Sequence, residues 1–354
     1  MAIKQAKKAK VKLSFKPKQV VKRLLSVLPP RGKDIVMRRY GLGADTKPMT
    51  LEAIGKKYGI TRERVRQIDE YSLNNIRKSK EYKREEPAFL ELKEALRKLG
   101  GIIAHHELLE SFTSDQLTQN YIHFLLVLGE HFSKEKEDEQ FRHRWHIDEN
   151  LARNVHSALE KLYASLDDNE LVPESELVKK FLEYVKDVSD EYKNDETIKR
   201  WLNLSHRIGK NPLGEWGKTS SPNVKAKGIR DYAYLVIRKH GSPIHFRDVA
   251  RAITTYFNKR AHVATTHNEL IKDARFVLVG RGLYALREWG YVPGVVKDVI
   301  VSIIEKTGPL PKDKIIEKVL KERYVKENTI LVNLQNPKFF KKDKEGRYHF
   351  IGTK

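Results

Sequence analysis

Arg62, Glu63 and Gln67, with Arg64 and Arg66 interleaved, are the side chains of this sequence best suited to chemistry, and that chemistry is hydrogen bonding rather than bond making. Arg offers a fork of donors that fits the guanine edge, Glu accepts from cytosine, and Gln can bond adenine in both directions, so the set can read a DNA major groove. Reading a groove requires a helix whose first turns stand clear of the protein body. The stretch from Thr50 to Asp69, TLEAIGKKYGITRERVRQID, has the matching pattern. Gly55 lets two helices cross closely, Gly59 suits the positive φ of a tight turn, and Val65 is spaced to be buried between them. Thr50 and Thr61 are N-cap residue types at the two expected helix starts. The spacing predicts a helix-turn-helix. A charged surface helix would account for RERVRQ alone, but not for the Gly/Gly/Val spacing around it.

No other constellation competes. His105-His106 and His143-x-x-His146 invite a metal, but there is no Cys and no acidic triad at ligand spacing, so they are expected at a helix start and on a strand. The acidic runs SKEKEDEQ and KDVSDEYKNDE read as solvated faces rather than a divalent-ion site. GLGADTKP and LVGRGLY lack phosphate-loop spacing, and Trp201, Trp216 and Trp289 sit where core filling is expected. The expectation is no catalytic residue, no metal, no cofactor and no enzyme activity.

Charge distribution points the same way as the helix-turn-helix. Residues 1–84 hold 24 Lys/Arg against 7 Asp/Glu, residues 85–220 hold 18 against 27, and residues 221–354 hold 27 against 13. Basic ends favour contact with a polyanion through counterion release, whereas an acidic middle is repelled by it. The absence of Cys excludes disulfides, and no apolar run is long enough to span a membrane. The start MAIKQAKKAK has no apolar signal core, so a cytoplasmic, nucleoid-associated protein is expected.

The elements that must position the reading residues follow in order. Residues 1–16 carry six lysines and no acid and are expected to form a mobile basic tail. Val20, Val21, Leu24, Leu25 and Leu28 recur at helical spacing up to Pro29-Pro30, and Ile35, Val36 and Tyr40 give the next helix its apolar side. With the two helices that follow, residues 17–84 make a four-helix unit, and Glu85-Glu86-Pro87 reads as a boundary.

LPPRGKDIVMRRYGL and MTLEAIGKKYGITRERVRQIDEYSLNNIRK closely resemble region 4 of bacterial housekeeping sigma factors, over about residues 20 to 80. The resemblance implies a second helix that enters the major groove at the −35 promoter element. It places Arg62, Glu63 and Gln67 at base contacts and Arg31, Arg39, Thr50 and Arg66 at phosphate contacts, with RNA polymerase as a candidate partner; Arg64, interleaved with them, is a further candidate phosphate contact. Gly32 departs from that family's usual Glu and costs about 1 kcal/mol of helix propensity. No second sigma-like module with an aromatic, basic melting helix is found in the sequence, so a stand-alone sigma factor is not expected.

Behind this unit the sequence reads as four degenerate repeats: residues 85–148, 149–220, 221–291 and 292–354. Each is expected to hold three helices closed by a two-stranded wing, the winged-helix plan. FVLVGRGLYAL and FFKKDKEGRYHFI are the clearest hairpins. GSPIHFRDVARAI and HNELIKDARFVLVGRGLYALREWGY, within about residues 226 to 291, resemble the HARE-type helix-turn-helix, a winged-helix family that includes the delta subunit of some bacterial RNA polymerases. The resemblance implies an association with DNA or transcription complexes. His262, Thr265, Thr266 and His267 would then lie near the start of a groove-reading helix and Arg281 at the wing tip, with a structural role open for His267. The expected fold is mainly α with small β wings. The expected function is sequence-specific binding of double-stranded DNA without a membrane partner; the alternative is an RNA polymerase accessory or scaffold subunit working through protein contacts.

Overall fold

The chain is described by a computed structural model over residues 10–185 and 188–352, and it is mainly helical with four small antiparallel sheets. It divides into two compact units, residues 10–210 with 214–220 and residues 221–352 with 211–213.

The first unit begins with α1 (Pro17–Leu24), which starts at a proline and buries Val20, Val21 and Leu24. Pro30 opens α2 (Pro30–Tyr40), and Gly41 closes it in the left-handed conformation. α3 (Leu51–Tyr58), α4 (Arg62–Arg77) and α5 (Lys80–Arg84) follow. Residues 1–9 of the expected basic tail lie outside the described residues. Residues 10–16, expected to be mobile, are instead laid along the unit: the Val11 amide donates to the Ser111 carbonyl (2.8 Å) and the Ser14 amide to the Glu91 carboxylate (2.6 Å). The cause is an alternation of Val11, Leu13 and Phe15, which half-buries one face of an extended segment and leaves Lys10, Lys12 and Lys16 outside.

After α5 a helix, strand, helix, helix, strand, strand order recurs. The first instance is α6 (Glu86–Lys98), β1 (Ile102–Ala104), α7 (His105–Phe112), α8 (Gln116–Leu128), β2 (Ser133–Glu135) and β3 (Arg144–His146), with sheet order β1-β3-β2. The second is α9 (Glu149–Ser165), α10 (Glu174–Tyr184), α11 (Asp195–Leu202), β4 (Ile208–Lys210) and β5 (Trp216–Lys218). There a single bridge, Val172 to Trp216, stands in for the first strand. The second unit holds α12 (Ile229–His240), β6 (Ile244–His245), α13 (Phe246–Phe257), α14 (Val263–Lys272), β7 (Phe276–Gly280) and β8 (Leu283–Leu286). It continues with α15 (Val296–Thr307), β9 (Leu310–Pro311), α16 (Lys312–Glu322), α17 (Glu327–Leu334), β10 (Phe340–Lys342) and β11 (Arg347–Phe350). Both expected hairpins are present, with Gly282 (φ 74°) and Gly346 (φ 83°) in their turns.

One core runs through α1, α4, α6, α8 and β3, bringing Leu24, Ile76, Phe89, Phe124 and Trp145 into a single cluster. Glu85 to Pro87, expected as a boundary, lies between Tyr82 and Phe89, whose rings pack 4.9 Å apart in that core. Polar bonds reinforce the joint. Asn120 Nδ2 donates to the carbonyls of Gly41 (2.9 Å) and Thr46 (2.7 Å), while Arg77 donates to the carbonyls of Val127 and Leu128 (3.0 Å each) and so caps the end of α8.

Two substitutions test this joint. Asn120→Ala leaves two carbonyls without their donor, at least one of them in a buried bond, and is expected to lower unfolding free energy by about 2 kcal/mol in urea titrations. An effect within 0.5 kcal/mol of zero, the range of an ordinary surface change, would mean that these bonds do not hold the joint. Asp69 on α4 is buried with Oδ1 unbonded, and burial pushes its carboxyl up to about 6 against the pull of Arg39 and the Tyr40 hydroxyl. The folded protein therefore binds this proton more tightly than the unfolded chain, whose Asp titrates near 3.9. The stabilisation is present below about pH 4 and is lost as pH rises to about 6. Asp69→Asn is expected to exceed the wild type in stability at pH 7 by roughly 2 kcal/mol, with the advantage gone by pH 4. Equal advantage at both pH values would contradict this assignment.

Candidate nucleic-acid interface

The geometry at α3 and α4 comes from local rules. Thr50 Oγ1 accepts from the Ala53 amide and Thr61 Oγ1 from the Arg64 amide, each at 3.1 Å, so both helices are capped by their own threonines. Gly59 ends α3 at φ 64°. A Cβ on Gly55 would stand 2.6 Å from the Ile60 carbonyl oxygen, so the close turn between the helices excludes any side chain there. Val65 is fully buried against Ile35 and Ile54, which fixes the rotation of α4 about its axis.

That rotation leaves Arg62, Glu63, Arg64, Arg66 and Gln67 exposed on the first two turns of α4. They are partly engaged with one another. Arg64 donates to Gln67 Oε1 (3.0 Å), and Arg66 bonds Glu63 (2.6 Å) and Glu70. The Arg66 hydrogen bond holds the Glu63 carboxyl below the usual carboxylate range. Exposed pairs of this kind contribute little net stability, so base edges or phosphates can replace them at small cost. Arg62 instead borders the shallow groove between the helices, beside Glu52 and Lys56.

The phosphate candidates divide. Arg31 is exposed in the first turn of α2, and Thr50, although used as a cap acceptor, keeps its hydroxyl proton for donation. Arg39 is half-buried: it donates to the Met49 carbonyl (3.1 Å) and lines a cleft with Lys134. Gly32 has a packing reason, since a Cβ there would lie 3.0 Å from Ser72 Oγ of α4. Its helix is short of propensity but can approach α4 closely. Lys56 and Lys57, exposed on the last turn of α3, and Lys134 were not singled out by the sequence. Lys134 lies 95 residues from Arg39 in an acidic segment, so no local pattern could join them.

The third helices of the four repeats are not equivalent. α8 buries Tyr121, Ile122, Phe124, Leu125, Leu126 and Leu128, and α11 buries Ile198, Trp201 and Leu202, with Trp201 Nε1 donating to the Gly100 carbonyl (3.0 Å). α14 and α17 bury two residues each and keep their outer faces open. On α14, His262 and Thr265 are exposed, as is Arg281 at the hairpin turn. Thr266 is not available: it is fully buried and donates back to the His262 carbonyl (3.0 Å), a bond its β-branched hydroxyl makes within the helix. His267 is packed as a structural residue, with its ring 4.3 Å from Phe246 and edge-on to Tyr284. His105 accepts from Trp145 Nε1 (3.0 Å) and stacks on His143 at 4.4 Å; burial lowers its pKa to about 3, so the stack is neutral at pH 7. Among the described residues no group of three or more His, Cys, Asp or Glu side chains is placed to hold a metal, and no helix is long and apolar enough to cross a membrane.

With this geometry in view, residues 24–78 match the family Sigma-70, region 4. The same segment is 46% identical over 54 residues to RNA polymerase sigma factor SigA1 of Synechococcus elongatus, covering 15% of this chain and 13% of that protein. It is 42% identical over 55 residues to the principal sigma factor HrdD of Streptomyces coelicolor, covering 16% of each chain. It is 38% identical over 60 residues to SigA of Clostridium acetobutylicum, covering 17% of this chain and 16% of that protein. The chain thus spans about a seventh of the length of the curated relatives it matches. What the matches share with this chain is its helix-turn-helix segment, α2 to α4, which is similar to region 4 of Sigma-70 factors over residues 24–78.

Proposed function

We propose that this chain is a sequence-specific DNA-binding transcription regulator whose region 4 domain recognises promoter-like duplex DNA. The observation that carries the reading is the exposed Arg62–Gln67 face at the Thr61-capped start of α4, inside the matched segment. Phosphate contacts from Arg31, Thr50, Arg64 and Arg66 would set register, while Arg62, Glu63 and Gln67 read bases. The mechanism is binding, with no catalytic residue and no cofactor. The four repeats behind α5 are read as winged-helix units, the third as a HARE-type unit in which His262, Thr265 and Arg281 remain candidate contacts. RNA polymerase is the candidate protein partner.

A second reading is favoured by one observation. α8 and α11, the third helices of the two repeats in the acidic segment, are packed into cores, and the first turn that α11 leaves exposed carries Asp195 and Glu196, which a DNA groove would repel. Residues 85–220 then serve as a brace and as a surface for protein contacts, the role of an accessory subunit.

Arg62→Ala tests base reading. It is expected to weaken binding to a −35-like duplex by about 1–3 kcal/mol, roughly 5- to 150-fold, while leaving a scrambled duplex within a factor of two. An equal loss on both duplexes would reassign Arg62 to the phosphates.

A further inference from the structure

Where α2 meets the β2–β3 hairpin, the first unit has a cleft of about 270 Å³ that joins Arg39, a phosphate candidate of the matched segment, to residues outside that segment. Its walls are Arg39 and Tyr40 of α2, Pro48, His123 of α8, Lys134 of β2 and Trp145 of β3, with apolar side chains behind them. Three features single it out. First, no carboxylate is among its lining residues, and the charged neighbours that act on Lys134 are the cations Arg39 and Lys136. Asp69, buried on α4, offsets Arg39 alone. Second, the cations are held in place. Arg39 spends one N–H on the Met49 carbonyl (3.1 Å), and the Lys134 ammonium lies 5.8 Å from the centre of the Trp145 ring. Third, His123 Nε2 is buried without a hydrogen-bond partner.

We propose that this cleft binds a phosphate group, with the Lys134 ammonium and the unused guanidinium N–H groups of Arg39 as its ligands and His123 beside them. Two cations with no carboxylate in the lining, and Asp69 behind only one of them, make a site whose self-repulsion an anion relieves. Guanidinium and ammonium together give the fork and the point charge that phosphate oxygens accept. The backbone of bound DNA is the favoured source. Pro48 borders the cleft and Arg39 holds Met49, the residue before Thr50, so the cleft lies beside the start of α3, where free amides also attract an anion. That source rests on the DNA-binding reading. A free nucleotide carries the same chemistry and would reach the cleft without it.

The test uses the full chain and Lys134→Met, which keeps the stem over Trp145 and removes the charge. One arm measures the salt dependence of duplex binding; the other follows the His123 imidazole resonance, assigned by its loss in His123→Gln, as AMP is added. If a backbone phosphate occupies the cleft, Lys134→Met lowers the slope of log affinity against log salt by about 0.9 with an unchanged melting temperature. If a nucleotide occupies it, AMP shifts the His123 resonance in the wild type and not in Lys134→Met. An unchanged slope together with an unmoved resonance overturns the proposal. A wild type that binds no duplex defeats the DNA reading, and the AMP arm then decides the cleft by itself.

Discussion

The core that joins the helix-turn-helix to the first repeat depends on covering α8. Its sequence, QLTQNYIHFLLVL, is apolar on nearly every side, and such a helix is stable only when neighbours enclose it. Phe124, Leu125 and Leu128 are fully buried, each with a transfer free energy of about 1.5–3 kcal/mol that is lost if a flank is uncovered. α1 supplies one of those flanks, and α2 and α7 pack against it as well. The helix-turn-helix is therefore not a head on a flexible string. α1 and α2, which lead into it, are part of the wall of a larger core.

This constraint decides what α4 can do. At its far end Arg77 is fixed to the last carbonyls of α8, and Ile76 is in the shared core. At its near end only the small cluster of Ile35, Ile54 and Val65 intervenes between the helix and solvent. One end is anchored and the other is presented. A helix held in this way would lose little conformational freedom on meeting a ligand, so contacts made by its exposed end would carry a small ordering cost. The Asn120 bonds to Gly41 and Thr46 extend the same rigidity to the loop between α2 and α3.

The helix-turn-helix was legible in the sequence because its determinants are local: two threonine caps, Gly55, Gly59 and Val65 lie within a span of sixteen residues. The hairpin turns at Gly282 and Gly346 were legible for the same reason. What was not legible depends on distant partners. Nothing near Thr266 distinguishes an exposed hydroxyl from a buried one, because its bond to the His262 carbonyl leaves no mark in residue type. The Val11, Leu13, Phe15 alternation was present but was outweighed by the lysines between. β1, β6 and β9 hold two or three residues each, too few for any periodicity, and they exist because a returning strand supplies the partner.

The repeated element order shows how one topology can be turned to opposite uses by its third helix. α8 is apolar on most of its surface, and α11, although amphipathic, buries five of its eight residues, Ile198, Trp201 and Leu202 among them, so folding encloses much of both helices. In α14 the two buried positions are Thr266 and Leu270, and in α17 they are Ile330 and Leu334, an i and i+4 stripe too narrow to enclose the helix. The outer face is left to solvent or to a partner. Charge separates the repeats along the same line, since the enclosed pair lies in the acidic segment and the open pair in the basic one. An acidic surface gains nothing from an exposed helix near DNA, whereas a basic one attracts the duplex to it. Burial pattern and net charge are independent properties of the sequence, and they divide the repeats at the same place: the more buried third helices lie in residues 85–220 and the open ones in residues 221–352.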